Sequence, residues 1–143
     1  MVKKISLINT PDQNDLSNIV SLRSIRGSTY VDFVVDTGSP LTIIPFQKAK
    51  ELNLPIKDLQ GEENIRLLGT RHKILKFPKG LTFTFLCEDG EILSFDYSPL
   101  IAKPCKEDEN WVLTELIIGT DFLREKGFKL FCDMKNNMGF LEE

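Results

Sequence analysis

The chain has no Cys-x-x-Cys pair, and its three cysteines, Cys87, Cys105 and Cys132, stand at wide, unrelated spacings. Such a set starts neither a metal site nor a redox motif, and reads as reduced, mostly buried thiols of a cytosolic protein. There is one histidine, His72. A His–Cys nucleophilic pair would depend on it, yet no cysteine sits at a helix start or in a basic pocket, so His72 is expected in an exposed hairpin or loop. There is no basic excess either: 18 Lys and Arg stand against 21 Asp and Glu, a net charge of −3. A protein that lives on phosphate backbones usually shows the opposite balance, so nucleic acid is disfavoured as a partner. No apolar run approaches the ~18 residues of a membrane span. Lys3 and Lys4 are followed by no long apolar stretch before Pro11 and Asp12, so no signal peptide is read. The expected setting is cytoplasmic, without membrane or nucleic acid.

What is present is an ordinary globular composition, 41% hydrophobic and 27% charged over 143 residues. That length predicts one domain over residues 1–143, too short for two lobes and long enough to bury a core. Most of the chain reads as β. Residues 17–35 predict a hairpin turning at Arg26-Gly27-Ser28. Leu81, Phe83, Phe85 and Cys87 alternate with polar residues ahead of an Asp89-Gly90 turn. Trp111 to Ile118 reads as strand, and Phe128–Cys132 with Met138–Leu141 as a last pair. Lys103 to Asn110 reads as an exposed loop. One short helix is predicted to start at Pro45 and stop before Asn53, and another over Asp121–Lys126, with Thr120 as its cap and Gly127 as its end. The fold class that follows is an all-β, barrel-like domain with two short helices, free of internal repeats.

Two segments carry chemistry. The first is Phe33-Val34-Val35-Asp36-Thr37-Gly38-Ser39. An Asp after three apolar strand residues must be buried or stand at a strand end, and a buried carboxylate needs donors around it. Thr37 and Ser39 bring hydroxyls, and Gly38 admits backbone where a Cβ would block it. The second segment is Leu116-Ile117-Ile118-Gly119-Thr120-Asp121-Phe122-Leu123, an apolar strand whose glycine precedes a helix. A glycine there implies another segment passing close by.

Together, Asp36-Thr37-Gly38-Ser39 and the later apolar-apolar-Gly-x-x-x-Leu resemble the retropepsin-like aspartic proteases, over roughly residues 17–132. The resemblance implies a closed acid-protease β-barrel that works as a homodimer on peptide or protein substrates. In it, Asp36 is the catalytic residue, and Thr37, Gly38 and Ser39 support its loop. Ile118 and Gly119 build the psi loop. Thr37 locks onto the partner's loop, and Ser39 steadies the outer oxygen of Asp36. A flap is implied between the motifs, with Leu68, Gly69 and Thr70 as tip candidates in Ile65–Phe77. Many viral members carry an Arg and an Asp at the positions held here by Thr120 and Pro40, so the sequence stands nearer the non-viral branches.

Aspartic proteolysis uses two carboxylates sharing a proton, and this chain supplies one Asp-Thr-Gly, so the expected enzyme is a homodimeric endopeptidase without metal or cofactor. Two other readings compete with it. One is a protease-fold module that binds peptides without cleaving them. The other is a plain β-barrel assembly domain in which Asp36 makes an Asx-turn and Gly119 a strand-to-helix turn. Asp121 reads as a helix-start residue, and Arg71-His72-Lys73 as a solvated hairpin face.

Overall fold

The structure is a computed structural model that describes residues 2–9, 16–56, 61–67, 70–76, 80–105, 113–133, 135–136 and 138–143. In chain order its strands are β1 (Lys4–Asn9), β2 (Leu16–Arg23), β3 (Ser28–Val35) and β4 (Ile43–Pro45), followed by helix α1 (Phe46–Glu51). Next come β5 (Gly61–Leu67), β6 (Thr70–Lys76), β7 (Leu81–Leu86), β8 (Ile92–Tyr97), β9 (Leu100–Pro104) and β10 (Leu116–Ile118). Helix α2 (Thr120–Lys126) then leads into β11 (Lys129–Asp133) and β12 (Met138–Glu142).

Period-two sequence makes the hairpins. In β2 and β3, Val20, Leu22, Val31 and Phe33 are buried while Ile19, Arg23, Tyr30 and Asp32 face out, and the pairing register runs from Ser17↔Val34 to Arg23↔Ser28. β7 and β8 pair from Leu81↔Tyr97 to Leu86↔Ile92, with Leu81, Phe83 and Phe85 turned inward. β11 and β12 form the expected terminal pair.

The expected closed barrel is not what the strands make. The sheet runs β11-β12-β1-β2-β3-β10-β4-β9-β6-β5, with β7 and β8 on a side branch from β2. The reason lies in β2. One edge of it is filled by β3, and the other is divided between β1 at Leu16 and Ser17 and β7 at Ser21–Arg23. A strand whose second edge serves two neighbours forks the sheet, and the path stays open.

Both helices differ slightly from expectation. Pro45 closes β4 and stands before α1 as its N-cap, and Asn53 leaves the helix at φ 56, a left-handed conformation that Asn tolerates. In α2 the N-cap is Gly119, and Thr120, expected as the cap, is the first helical residue. Gly127 ends this helix at φ 70, where glycine carries no Cβ penalty. Of the run expected as strand from Trp111, the described residues 113–118 are strand at Leu116–Ile118, and Trp111 and Val112 lie outside the described residues. Lys103 and Pro104 finish β9 where a loop was expected.

The core lies between the main sheet, the β7–β8 branch and α2. Phe122 sits at its centre, stacked on Phe83 at 5.4 Å and met edge-on by Tyr97 at 5.1 Å and Phe95 at 6.2 Å. Offset and edge-to-face rings of this kind contribute beyond the area they bury.

Candidate active site

Strand pairing decides where Asp36 emerges. β10 lies parallel to β3 in the register Leu116↔Phe33, Ile117↔Val34, Ile118↔Val35, and its other edge takes β4, antiparallel at Ile117↔Ile43. The chain leaving β3 must therefore pass from one side of β10 to the other before it becomes β4. Residues 36–42 make that passage, and Asp36 is the first of them. Its N–H continues the ladder by donating to the Ile118 carbonyl at 3.0 Å. Its own carbonyl accepts from the Ser39 N–H at 3.1 Å, which closes a turn.

The Asp36 side chain is exposed and stands at the strand end, one of the two placements its sequence context allowed. Oδ1 accepts the Gly38 N–H at 2.9 Å. Thr37 and Gly38 are exposed as well. Ser39 does not do what was expected of it: its hydroxyl donates to the Leu41 carbonyl at 2.7 Å. A hydroxyl has one proton, and here the local turn takes it, so the hydrogen bond that supports the Asp36 carboxylate comes from the Gly38 backbone N–H.

The second motif meets the first at Gly119. A Cβ there would overlap the Leu41 carbonyl oxygen and lie 2.7 Å from the Ser39 oxygen, so only glycine fits between β10 and α2. The Gly119 N–H donates to the Thr42 hydroxyl at 3.0 Å, and the Thr120 N–H to the Ser39 carbonyl at 2.9 Å. Ile118 and Gly119 are thus brought against the Asp36 loop from behind.

The flap candidates fall in the β5–β6 hairpin. Its register ends at Leu67↔Thr70; Leu68 and Gly69 lie outside the described residues, and Thr70 is the first residue of β6. His72 corrects another expectation. It is fully buried: along β6 it lies on the face opposite the exposed Arg71 and Lys73, in a strand paired with β5 on one side and β9 on the other. The thiols also differ from expectation: Cys87 is buried, whereas Cys105 and Cys132 are exposed, one just past the end of β9 and the other on the edge strand β11. Burial pushes the Cys87 thiol pKa up, helped by the nearby Asp89 charge.

Searches by structure return a retropepsin-like aspartic protease from Rickettsia conorii at a TM-score of 0.65, covering 99% of this chain and 92% of that one at 16% identity. They also return EIAV protease in complex with the inhibitor HBY-793, at a TM-score of 0.54 and 16% identity, covering 87% of this chain and all of that one. The fold is retropepsin-like. No protein-family model and no curated protein matches the sequence.

Within this retropepsin-like fold the sequence left the mutual contacts of Asp121, Thr42 and Tyr97 unread. Asp121, read as a helix-start residue, accepts from Thr42 twice, through the hydroxyl at 2.7 Å and the N–H at 3.1 Å. It also accepts from the Tyr97 hydroxyl at 2.6 Å and from the Phe122 N–H at 2.8 Å. Burial and the hydrogen bond to Asp121 push the Tyr97 phenol well above its ordinary value. The available signal was the pairing of a Thr just behind the Asp-Thr-Gly-Ser with an Asp just behind the second glycine.

Elsewhere, a groove of about 670 Å³ on the outer face of β2, β3, β7 and β8 is lined by Ile19, Tyr30, Leu86 and Ile92, and Asp36 does not border it. Among the described residues, no three His, Cys, Asp or Glu side chains group as metal ligands. No helix among them is long and apolar enough to cross a membrane.

Proposed function

We propose that residues 1–143 form one aspartic protease domain that hydrolyses peptide bonds as a cytoplasmic homodimer, with Asp36 of each copy supplying one of two catalytic carboxylates. The observation that carries this reading is the exposed Asp36 carboxylate at the end of β3, its backbone tied to Ile118 and Ser39, in a retropepsin-like fold. One Asp-Thr-Gly per chain sets the stoichiometry.

The chemistry follows from two carboxylates sharing one proton. A water between them gives a proton to the ionised carboxylate and attacks the peptide carbonyl carbon, while the protonated carboxyl gives its proton to the carbonyl oxygen. The gem-diol then collapses, the C–N bond breaks, and the departing nitrogen takes up a proton. This route needs no metal or cofactor. Thr37 of each copy is assigned to brace the other copy's loop. The β5–β6 hairpin, with Leu68, Gly69 and Thr70 at its tip, is assigned as the flap.

Asp36→Asn keeps the size of the side chain and removes the base. Peptide cleavage by the purified variant is expected to vanish, while circular dichroism and sedimentation stay those of wild type. Full activity in that variant overturns the assignment. Specific activity is also expected to fall on dilution, since one copy holds half a site. Its pH profile should be a bell on the acidic side, because only the singly protonated pair is competent. A folded wild type that binds peptides and never cuts them would favour the non-cleaving module.

A further inference from the structure

The polar groups behind the Asp36 loop are connected in one direction. The Gly119 N–H can only donate, so the Thr42 hydroxyl must accept from it at 3.0 Å. The single Thr42 hydroxyl proton is then left to point at an acceptor, and Asp121 Oδ1 stands 2.7 Å away. Thr42 is fully buried, so water does not supply an alternative. The second carboxylate oxygen faces two further donors, the Thr42 N–H at 3.1 Å and the Tyr97 hydroxyl at 2.6 Å.

An ionised carboxylate accepts at every one of these contacts. An amide of the same shape cannot: with its oxygen kept toward the Thr42 hydroxyl, its NH₂ would meet the Thr42 N–H, donor against donor. The site is therefore matched to a negative charge, which also suits the first turn of α2. What the carboxylate fixes is the place of Thr42, and Thr42 fixes Gly119. Gly119 in turn lies between Ile118, which receives the Asp36 N–H, and Thr120, whose N–H holds Ser39.

We infer that Asp121 is a positioning residue for the Asp36 loop, acting through Thr42 and Gly119 and held from the far side by Tyr97. Its part in catalysis rests on the protease reading above, while its part in holding the loop does not. Loss of this anchor keeps the Asp36 carboxylate but leaves it free to shift, and a shift near 1 Å at a catalytic group can cost about 100-fold in rate.

The test compares Asp121→Asn, Thr42→Val and Thr42→Ser with wild type. Rates are divided by the concentration of sites titrated with a statine-type peptide inhibitor, so that misfolded protein does not count. In Asp121→Asn and Thr42→Val, kcat per titrated site should fall roughly 10- to 100-fold with KM little changed. Thr42→Ser, which keeps the hydroxyl, should recover most of that loss. In parallel, amide hydrogen exchange at Asp36, Gly119 and Thr120 should speed up in the two disruptive variants, with the β7–β8 amides unaltered. Wild-type kcat per site in Asp121→Asn overturns the inference. So does faster exchange spread evenly over the chain, which would mark a general loss of stability. If wild type itself cleaves nothing, the protease reading has failed, and the exchange pattern alone then decides whether Asp121 holds the loop.

Discussion

The corner around Asp36 and the aromatic centre under β7 and β8 touch along one short helix, and they are held together by different physics. In the corner, Ile118, Gly119, Thr120 and Asp121 meet residues 36–42 through directional hydrogen bonds, two of them between Asp121 and Thr42. In the centre, Phe83, Phe85, Phe95, Phe122 and Phe128 hold by ring contact at 5.3–6.5 Å, with no bond that depends on an exact angle. Consecutive residues divide the work: Asp121 faces the first region and Phe122 the second. Area forgives small displacements, whereas a relay of hydrogen bonds does not. Stability and loop geometry should therefore respond to different substitutions.

The largest expected effect comes from emptying the aromatic centre. Phe85→Ala should lower stability by about 3–5 kcal/mol, read as a fall in the urea midpoint. Cleavage per folded molecule should stay close to wild type, because the Phe85 ring supplies neither donor nor acceptor to the corner's hydrogen bonds. Gly119→Ala is the counterpart. Its Cβ meets backbone oxygens of Ser39 and Leu41, so the loop must move, at about 1–3 kcal/mol. Here activity per folded molecule should drop further than stability explains. If the two variants lose activity in the same proportion to stability, the contrast between the regions is broken.

The smallest effect joins the two regions at Tyr97, whose ring touches Phe122 and whose hydroxyl serves Asp121. In the unfolded chain the phenol titrates near 10.0, and in the folded protein burial and Asp121 keep its proton on to higher pH. The native state then binds more protons than the unfolded one, so this contribution is complete below about pH 10 and is lost as pH rises beyond it. Tyr97→Phe should cost about 1 kcal/mol near neutral pH and flatten the alkaline decline of the urea midpoint. Cys87, raised above 9.0 by burial, adds a decline of its own in both proteins, so the Tyr97 share is the difference between them.

What could be read from the sequence follows the range of the forces involved. The β2–β3, β7–β8 and β11–β12 pairs are local, marked by alternation and by turn residues such as Asp89-Gly90, and they stand where expected. β1 has only Ile5 and Leu7 to show its period, and β9 ends in Pro104, so neither carried a strand signal of its own. Both exist because partners arrive from elsewhere: β12 and β2 for one, β4 and β6 for the other. The two candidate segments could be picked out singly, as an Asp at a strand end and a Gly beside something close. Their joint geometry could not, since Thr42 and Asp121 are 79 residues apart and nothing local links them. The burial of His72 and the exposure of Cys105 and Cys132 likewise depend on which face of the fold each position meets, which no local pattern marks.

The insertion of β10 between β3 and β4 also sets an order of assembly. A chain emerging from the ribosome completes the β2–β3 hairpin early, since its strands are joined by a four-residue turn. The loop that begins at Asp36 then has no fixed position until Leu116–Ile118 arrive, with most of the protein already made. Pairings that span so much sequence close late and slowly, because the intervening loop entropy must be overcome first. On the protease reading proposed above, cleavage would then be withheld during synthesis, since a nascent chain stalled before β10 carries the Asp36 carboxylate without the strand its backbone pairs with.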